Sequence, residues 1–351
     1  MPQPLDAWAR LESENLGKAG VFQLRIFGES SLNLFGVLEL PERRVGIQLQ
    51  VPSRLIPAVG EYPSTAGFRT RVERIAITTR IAVLLEVQEF RGVFGEMCTD
   101  VLRACLRAGS DERKAVHALV DRLIAWKDLF SGSGPIPLPE REQMGLFGEL
   151  TFLETLLDRS FPAATAVEGW RGPFHDPHDF HLGPVHVEVK ATASMDPGVT
   201  RISSLEQLDP AGTQALFLWH YRFQTATDGS GRTLRGLVEK LRARLEAAGP
   251  HIRGAFDDRL LKIRYLDLHA AEHYDLIGLD LRQTRTLRIC HGFPGLTHES
   301  VPAPVRAARY DLSVDMVSSE HDVRLEDAME EICSGAFTRG SDPGGGRPPA
   351  S

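Results

Sequence analysis

Residues 185–190 read Val-His-Val-Glu-Val-Lys, and this strict alternation leaves the segment little choice but a β-strand. Side chains of a strand point alternately to its two faces. Val185, Val187 and Val189 then face a core, while His186, Glu188 and Lys190 share the other face. A carboxylate and an ammonium therefore point into the same space. Asp179 precedes Glu188 by nine positions, with Gly183-Pro184 between them as a turn. A hairpin there brings Asp179 alongside Glu188. Two carboxylates make a hard oxygen site of the kind that suits Mg²⁺. Asp176 competes for the same place; Asp179 is preferred because Phe180 and Leu182 give it a strand context.

Phosphodiester chemistry assigns the roles. Asp179 and Glu188 would hold Mg²⁺, which polarises a scissile phosphate and acidifies a bound water. Lys190 would position or deprotonate that water and offset the charge growing on phosphorus. A helix over 140–158, EREQMGLFGELTFLETLLD, offers one more acid. Glu149 lies one turn from Leu146 and Leu153 on the apolar stripe, where a carboxylate is costly unless something is waiting for it. GVFGEM at 92–97 nearly repeats GLFGEL at 145–150, so Glu96 has a similar local setting. Glu149 is preferred because it directly precedes the strands, and Glu154 is a weaker substitute.

Helix with Glu, strand with Asp, strand with Glu-x-Lys, then helix and strand resembles the αβββαβ order of the PD-(D/E)xK nuclease superfamily. The wording GLFGEL, GWRGP, DF, VEVKAT and ISSLEQL is similar to a bacterial family described as PD-(D/E)xK members. The resemblance covers residues 140–225 strongly and the flanks loosely. It implies a restriction-endonuclease-like core that uses Mg²⁺, with Mn²⁺ substituting, to cleave DNA as an endonuclease. It further implies a place in a bacterial restriction-modification or phage-defence system, with an ATPase, helicase or methyltransferase among the partners. By position, Asp179 matches the motif aspartate, Glu188 and Lys190 the E-x-K, and Glu149 the helix acid. Gln207 resembles the polar residue that some members place near the site. The chain departs from the motif at His178, where the literal pattern has Pro.

Other readings compete at several of these positions. Ser203-x-x-Glu206 and Ser204-x-x-Gln207 both read as capping boxes. His175, His178, His181 and His186 are of a metal-ligating type. Their spacing of three fits no single strand face, and Pro177 opposes a helix, so no dedicated histidine metal centre is expected. Arg232, Arg235, Lys240, Arg242 and Arg244 lie on or just before a helix over 233–247, the best candidate for a DNA-backbone contact. A solvated helix face competes with that reading, as it does for Arg69, Arg71 and Arg74.

The net charge of −7 argues against a protein that binds DNA over a broad surface, where Lys and Arg dominate. It is compatible with a nuclease whose acidic ligands lie beside a local basic groove. It favours the alternative of a nuclease-like fold acting as a non-catalytic structural or DNA-sensing subunit, which the intact Asp179, Glu188 and Lys190 disfavour. Few of the 40 basic residues are lysine, so Lys190 at such a place weighs more than usual. Cys98, Cys105, Cys290 and Cys333 contain no CxxC, which speaks against a zinc ribbon or disulfide framework and suits a reducing cytoplasm. No run approaches the ~18 apolar residues of a membrane span, and no signal peptide opens the chain. An enzyme that cuts both strands often uses two active sites, which leaves a homodimer open although no residue supports it.

The 351 residues divide in the reading as follows. Residues 1–130 form a β-rich N-terminal domain, with strands from Val21, Leu34, Val45 and Ile81 and two closing helices. Residues 131–139, SGSGPIPLP, form a linker. Residues 140–225 form the core, 226–335 a C-terminal α/β extension packed on it, and 336–351 a disordered tail. ATAVEGW and LLKIRYLDL read as strands, and SSLEQL as the start of a helix. The fold class is mixed α/β (α+β).

Overall fold

The computed structural model describes residues 4–56, 62–130, 136–193, 198–226 and 230–337. The chain forms two compact units: Met1–Pro137 with Arg264–Leu268, and Leu138–Ile263 with His269–Ser351. Of the expected linker, residues 131–135 lie outside the described residues, as does the expected tail from residue 338.

The first unit holds α1 (Pro4–Glu14), β1 (Gly20–Arg25), β2 (Asn33–Leu40), β3 (Arg44–Pro52), β4 (Phe68–Ile75), β5 (Thr78–Leu85), α2 (Arg91–Arg107) and α3 (Glu112–Lys127). The strands pair antiparallel in the order β1-β2-β3-β5-β4. Sequence periodicity misses α1 and β4. In α1, buried Ala7, Trp8 and Leu11 form a short apolar stripe, and Trp8 donates its indole N–H to Gly46 O at 2.7 Å. In β4, FRTRVERI lacks the apolar alternation that marks its neighbours. Arg69 and Arg71 on that strand pair with Glu86 and Glu39. Asp111 caps α3 by accepting from Lys114 N.

The second unit holds α4 (Glu140–Asp158), α5 (Ala163–Gly169), β6 (Phe180–Leu182), β7 (Val185–Thr192), β8 (Val199–Ile202), β9 (Ala215–Thr225), α6 (Leu234–Ala248), α7 (Pro250–Lys262), β10 (Leu279–Ile289), β11 (Tyr310–Ser313) and α8 (Leu325–Phe337). Its main sheet runs β10-β9-β7-β6, with β7 and β9 parallel and both outer pairs antiparallel. α4 lies against β7 so closely that a Cβ on Gly148 would come within 2.6 Å of Ala191 Cβ. Segment 226–335, read as an extension, contributes β10 to this same sheet and belongs to the same unit except for Arg264–Leu268, which fall in the first. The architecture is mixed α+β.

Three expectations are corrected. ATAVEGW is helix α5, not a strand: Pro162 precedes the first turn, the alanines favour helix, and Ala166 and Val167 are buried. LLKIRYLDL is not a strand, because α7 runs through Lys262 with Ile252, Phe256 and Leu260 on one buried stripe. SSLEQL makes only a single 3₁₀ turn, Glu206–Leu208, because Pro210 forces Asp209 into extended backbone. The strand before that turn, β8, leaves the main sheet to pair with β11. The αβββαβ order is therefore modified at its third strand and second helix.

Candidate active site

β6 and β7 form a hairpin closed by Gly183-Pro184, with Leu182 opposite Val185. Gly183 adopts φ +70°, a conformation open to glycine. Extending the register one step past Phe180–Val187 sets Asp179 opposite Glu188. Asp179 Oδ2 accepts from Val189 N at 2.8 Å, which fixes the carboxylate against β7. The expected outward face of β7 is not solvated: Glu188 is 1% exposed.

Glu149 on α4 reaches the same place. Its Oε2 accepts the indole N–H of buried Trp170 at 2.6 Å. Gly172 closes the space from the other side. A Cβ there would lie 2.3 Å from Glu149 Oε2 and 3.3 Å from Asp179 Oδ1, so these carboxylates face each other across a gap that only glycine leaves open. The backbone N–H groups of Arg171 and Gly172 both donate to Asp179 O, at 2.7 and 3.1 Å. The GWRGP stretch thus holds Glu149 through Trp170 and clears the gap through Gly172. Sequence reasoning quoted this stretch without giving either residue a role.

Lys190 Nζ lies 2.6 Å from Glu188 Oε1 and donates to Gln207 Oε1 at 3.4 Å. Gln207 Oε1 also accepts from Ser203 N at 2.7 Å, so the capping reach and the approach to Lys190 are made by one oxygen. Both Glu188 oxygens are buried, and among the described residues the carboxylate is met only by Lys190 and the Asp179 backbone. Burial and the charge of Asp179 push the Glu188 carboxyl up to about 8. Burial, then Asp179, also raises Glu149 well above the carboxylate range, and burial raises Asp179. Burial works to lower Lys190, but Glu188 and Asp179 overcome it and its pKa is raised.

Three buried carboxylates beside one lysine form an oxygen-rich site short of positive charge. The donor set fits a hard divalent cation. A cavity of about 540 Å³ opens onto Glu149, Asp179, Glu188 and Lys190, and a second of about 360 Å³ adjoins it at Asp179 and Gln207. Arg141 and Arg201 line the larger one, cations that no sequence pattern marked.

The remaining candidates fall elsewhere. Asp176 accepts from Arg171 Nε at 2.7 Å and lines only the smaller cavity. Glu96 lies on α2 of the first unit. Glu154 is 5% exposed and meets Arg232 and Lys240, each at 2.7 Å. Arg235 pairs with Glu239 and Asp275, Arg242 with Asp257, and Arg244 with Asp158. These cations answer carboxylates of their own unit and do not line the cavity at Asp179. Ser204 lines the smaller cavity.

A different basic patch adjoins the site. Phe174, 38% exposed, has Arg171 over its ring at 4.6 Å and Arg259 and Lys262 at 5.3 Å each. It lies two residues beyond Gly172. Its signal was buried in GWRGPF, because two of its three cations arrive from α7. His178, His181 and His186 also come together, contrary to expectation, because the hairpin register unites what linear spacing separates. Burial, with neighbouring imidazoles, lowers His178 and His186 to about 4, and burial lowers His181.

The sequence model of one family matches residues 5–315, across both units. The chain belongs to that family, described as "Putative PD-(D/E)XK family member" (DUF4420). The family description points to a nuclease. No curated protein and no solved structure matches the chain. No helix among the described residues is long and apolar enough to cross a membrane.

Proposed function

We propose that the second unit is a Mg²⁺-dependent endonuclease that hydrolyses phosphodiester bonds of DNA in a bacterial restriction or phage-defence setting. The observation that carries this reading is the convergence of Glu149, Asp179, Glu188 and Lys190 on one cavity, with Glu188 almost fully buried there. Asp179, Glu188 and Glu149 would hold the cation. When bound, it supplies charge neutralisation at the scissile phosphate and acidifies a water, and Mn²⁺ has the same capacity.

The chain's own groups do the rest. Lys190 keeps its proton at Nζ, since two carboxylates raise its pKa. A charged ammonium is poorly suited to act as a base, so Lys190 offsets charge developing on the phosphoryl oxygens. Gln207 steers that ammonium through Oε1. Trp170 and Gly172 fix where Glu149 meets Asp179. Lys262 over the Phe174 ring offers a local contact for a backbone phosphate beside the site, with Arg171 and Arg259, held by Asp176 and by backbone carbonyls, adding positive charge around it.

The test is cleavage of supercoiled plasmid and of single-stranded DNA in Mg²⁺, Mn²⁺ or EDTA, for wild type, Asp179→Ala and Lys190→Ala. Metal-dependent cutting lost in both variants is the expected result. Cutting that survives both substitutions would remove this cluster from the chemistry.

A further inference from the structure

We propose that His178, His181 and His186 form a binding site for a zinc-like divalent transition metal, separate from the acidic cavity. It does not depend on the nuclease reading. It starts from the hairpin register. His181 and His186 stand directly opposite each other on β6 and β7. Their rings stack with centroids 4.0 Å apart and planes within 4°. His178, just before β6, brings Nδ1 to 3.1 Å from His186 Nδ1. Each residue offers a ring nitrogen, and these atoms all lie within 4.8 Å of one another.

Hydrogen bonding alone does not account for the trio. Two facing imidazole nitrogens can share one proton, which serves the His178–His186 pair. His181 Nε2 is left buried without a hydrogen-bond partner among the described residues, whereas His178 also draws on the Glu206 backbone. A buried ring nitrogen without a partner is costly, and a cation removes that cost for several donors at once.

The donor type selects the metal. Neutral imidazoles suit zinc and its neighbours, whereas Mg²⁺ demands oxygen. In a tetrahedral zinc site the ligand nitrogens stand about 3.3 Å apart, given Zn–N bonds of about 2.0–2.1 Å. To converge on one ion the stacked His181 and His186 rings must tilt out of their parallel arrangement, and three imidazoles at that spacing leave the fourth position to water. Asp176 Oδ2 lies 4.0 Å from His181 Nδ1 and is held by Arg171, the outer carboxylate that commonly orients a ligating histidine.

The placement gives the ion a structural task. His186 and Glu188 are two residues apart on one strand, about 6.6 Å, so the two sites share a face without sharing ligands. His178 immediately precedes Asp179. A metal tying His178 to β7 would hold Asp179 in its register opposite Glu188.

The experiment titrates Co²⁺ into the full chain after chelator treatment and dialysis, reads the visible absorption of four-coordinate Co²⁺, and then displaces it with Zn²⁺. We expect one equivalent to bind and Zn²⁺ to bleach the band. Binding should persist in the Asp179→Ala/Glu188→Gln double variant and weaken at least about 10-fold in His181→Ala. Zn²⁺ should raise the melting temperature of wild type but not of His181→Ala. Circular dichroism verifies folding, and His181→Asn replaces the alanine variant if that one fails to fold. Absence of a stoichiometric band overturns the proposal. So does a band that survives His181 substitution and disappears with the acidic residues.

Discussion

Glu149 and Glu154 lie five residues apart on the same helix, and the structure treats them in opposite ways. Glu154 is buried and answered by Arg232 and Lys240. Glu149 is met by one indole N–H and faces other carboxylates, Asp179 and Glu188. A buried acid met by cations is part of the scaffold. A buried acid that faces more acids raises its own pKa and is stable as a charge only when a cation arrives from solution. Burial alone therefore does not distinguish a structural acid from a functional one; the sign of its neighbours does.

The largest way to break the contrast acts on the Glu149 side. Gly172→Ala would push a methyl group into the gap between Glu149 and Asp179. Cleavage should fall at least about 100-fold, about 2.7 kcal/mol of barrier, with the fold retained by circular dichroism. Unchanged kinetics would mean the gap is not where the chemistry occurs. A smaller effect comes from making Glu154 resemble Glu149. Arg232→Ala combined with Lys240→Ala strips its cations, both of them partly exposed. Chemical denaturation should show a loss of about 1–3 kcal/mol. DNA affinity that falls without loss of stability would instead assign these cations to the DNA backbone.

A third test, read as a change of slope with pH, sharpens the electrostatic side. The Glu188 pKa is raised to about 8 by burial and by Asp179, from about 4.3 in the unfolded chain. Folding then favours the protonated form. Its contribution is complete below about pH 4.3 and is lost as pH rises through about 8. In EDTA, the melting temperature of wild type should drop between pH 5 and 8.5, while Glu188→Gln gives a flatter profile. Equal slopes would show that the carboxylate carries no such strain.

Much of the fold near the cavity was legible. The valine alternation of β7 and the Gly183-Pro184 turn specify a hairpin, and the hairpin alone sets Asp179 beside Glu188. Glu149 was legible as a charge on an apolar stripe. Its partner Trp170 was not, because an indole contact between a helix and the chain after α5 leaves no local pattern. The pairing of Glu154 with Arg232 and Lys240 joins residues far apart in sequence, and so the same helical cations read as free for DNA. The histidine trio misled for a related reason: linear spacing was tested against one strand, whereas two strands and a loop supply the rings. α5 and the end of α7 were read as strands because short apolar runs carry no distinguishing period.

The account's central claim is most directly tested by measuring DNA cleavage and melting temperature together for Glu149→Gln and Glu154→Gln. The account predicts that Glu149→Gln keeps its melting temperature and loses metal-dependent cleavage, while Glu154→Gln melts earlier and still cuts. Cleavage retained in Glu149→Gln and abolished in folded Glu154→Gln would contradict it.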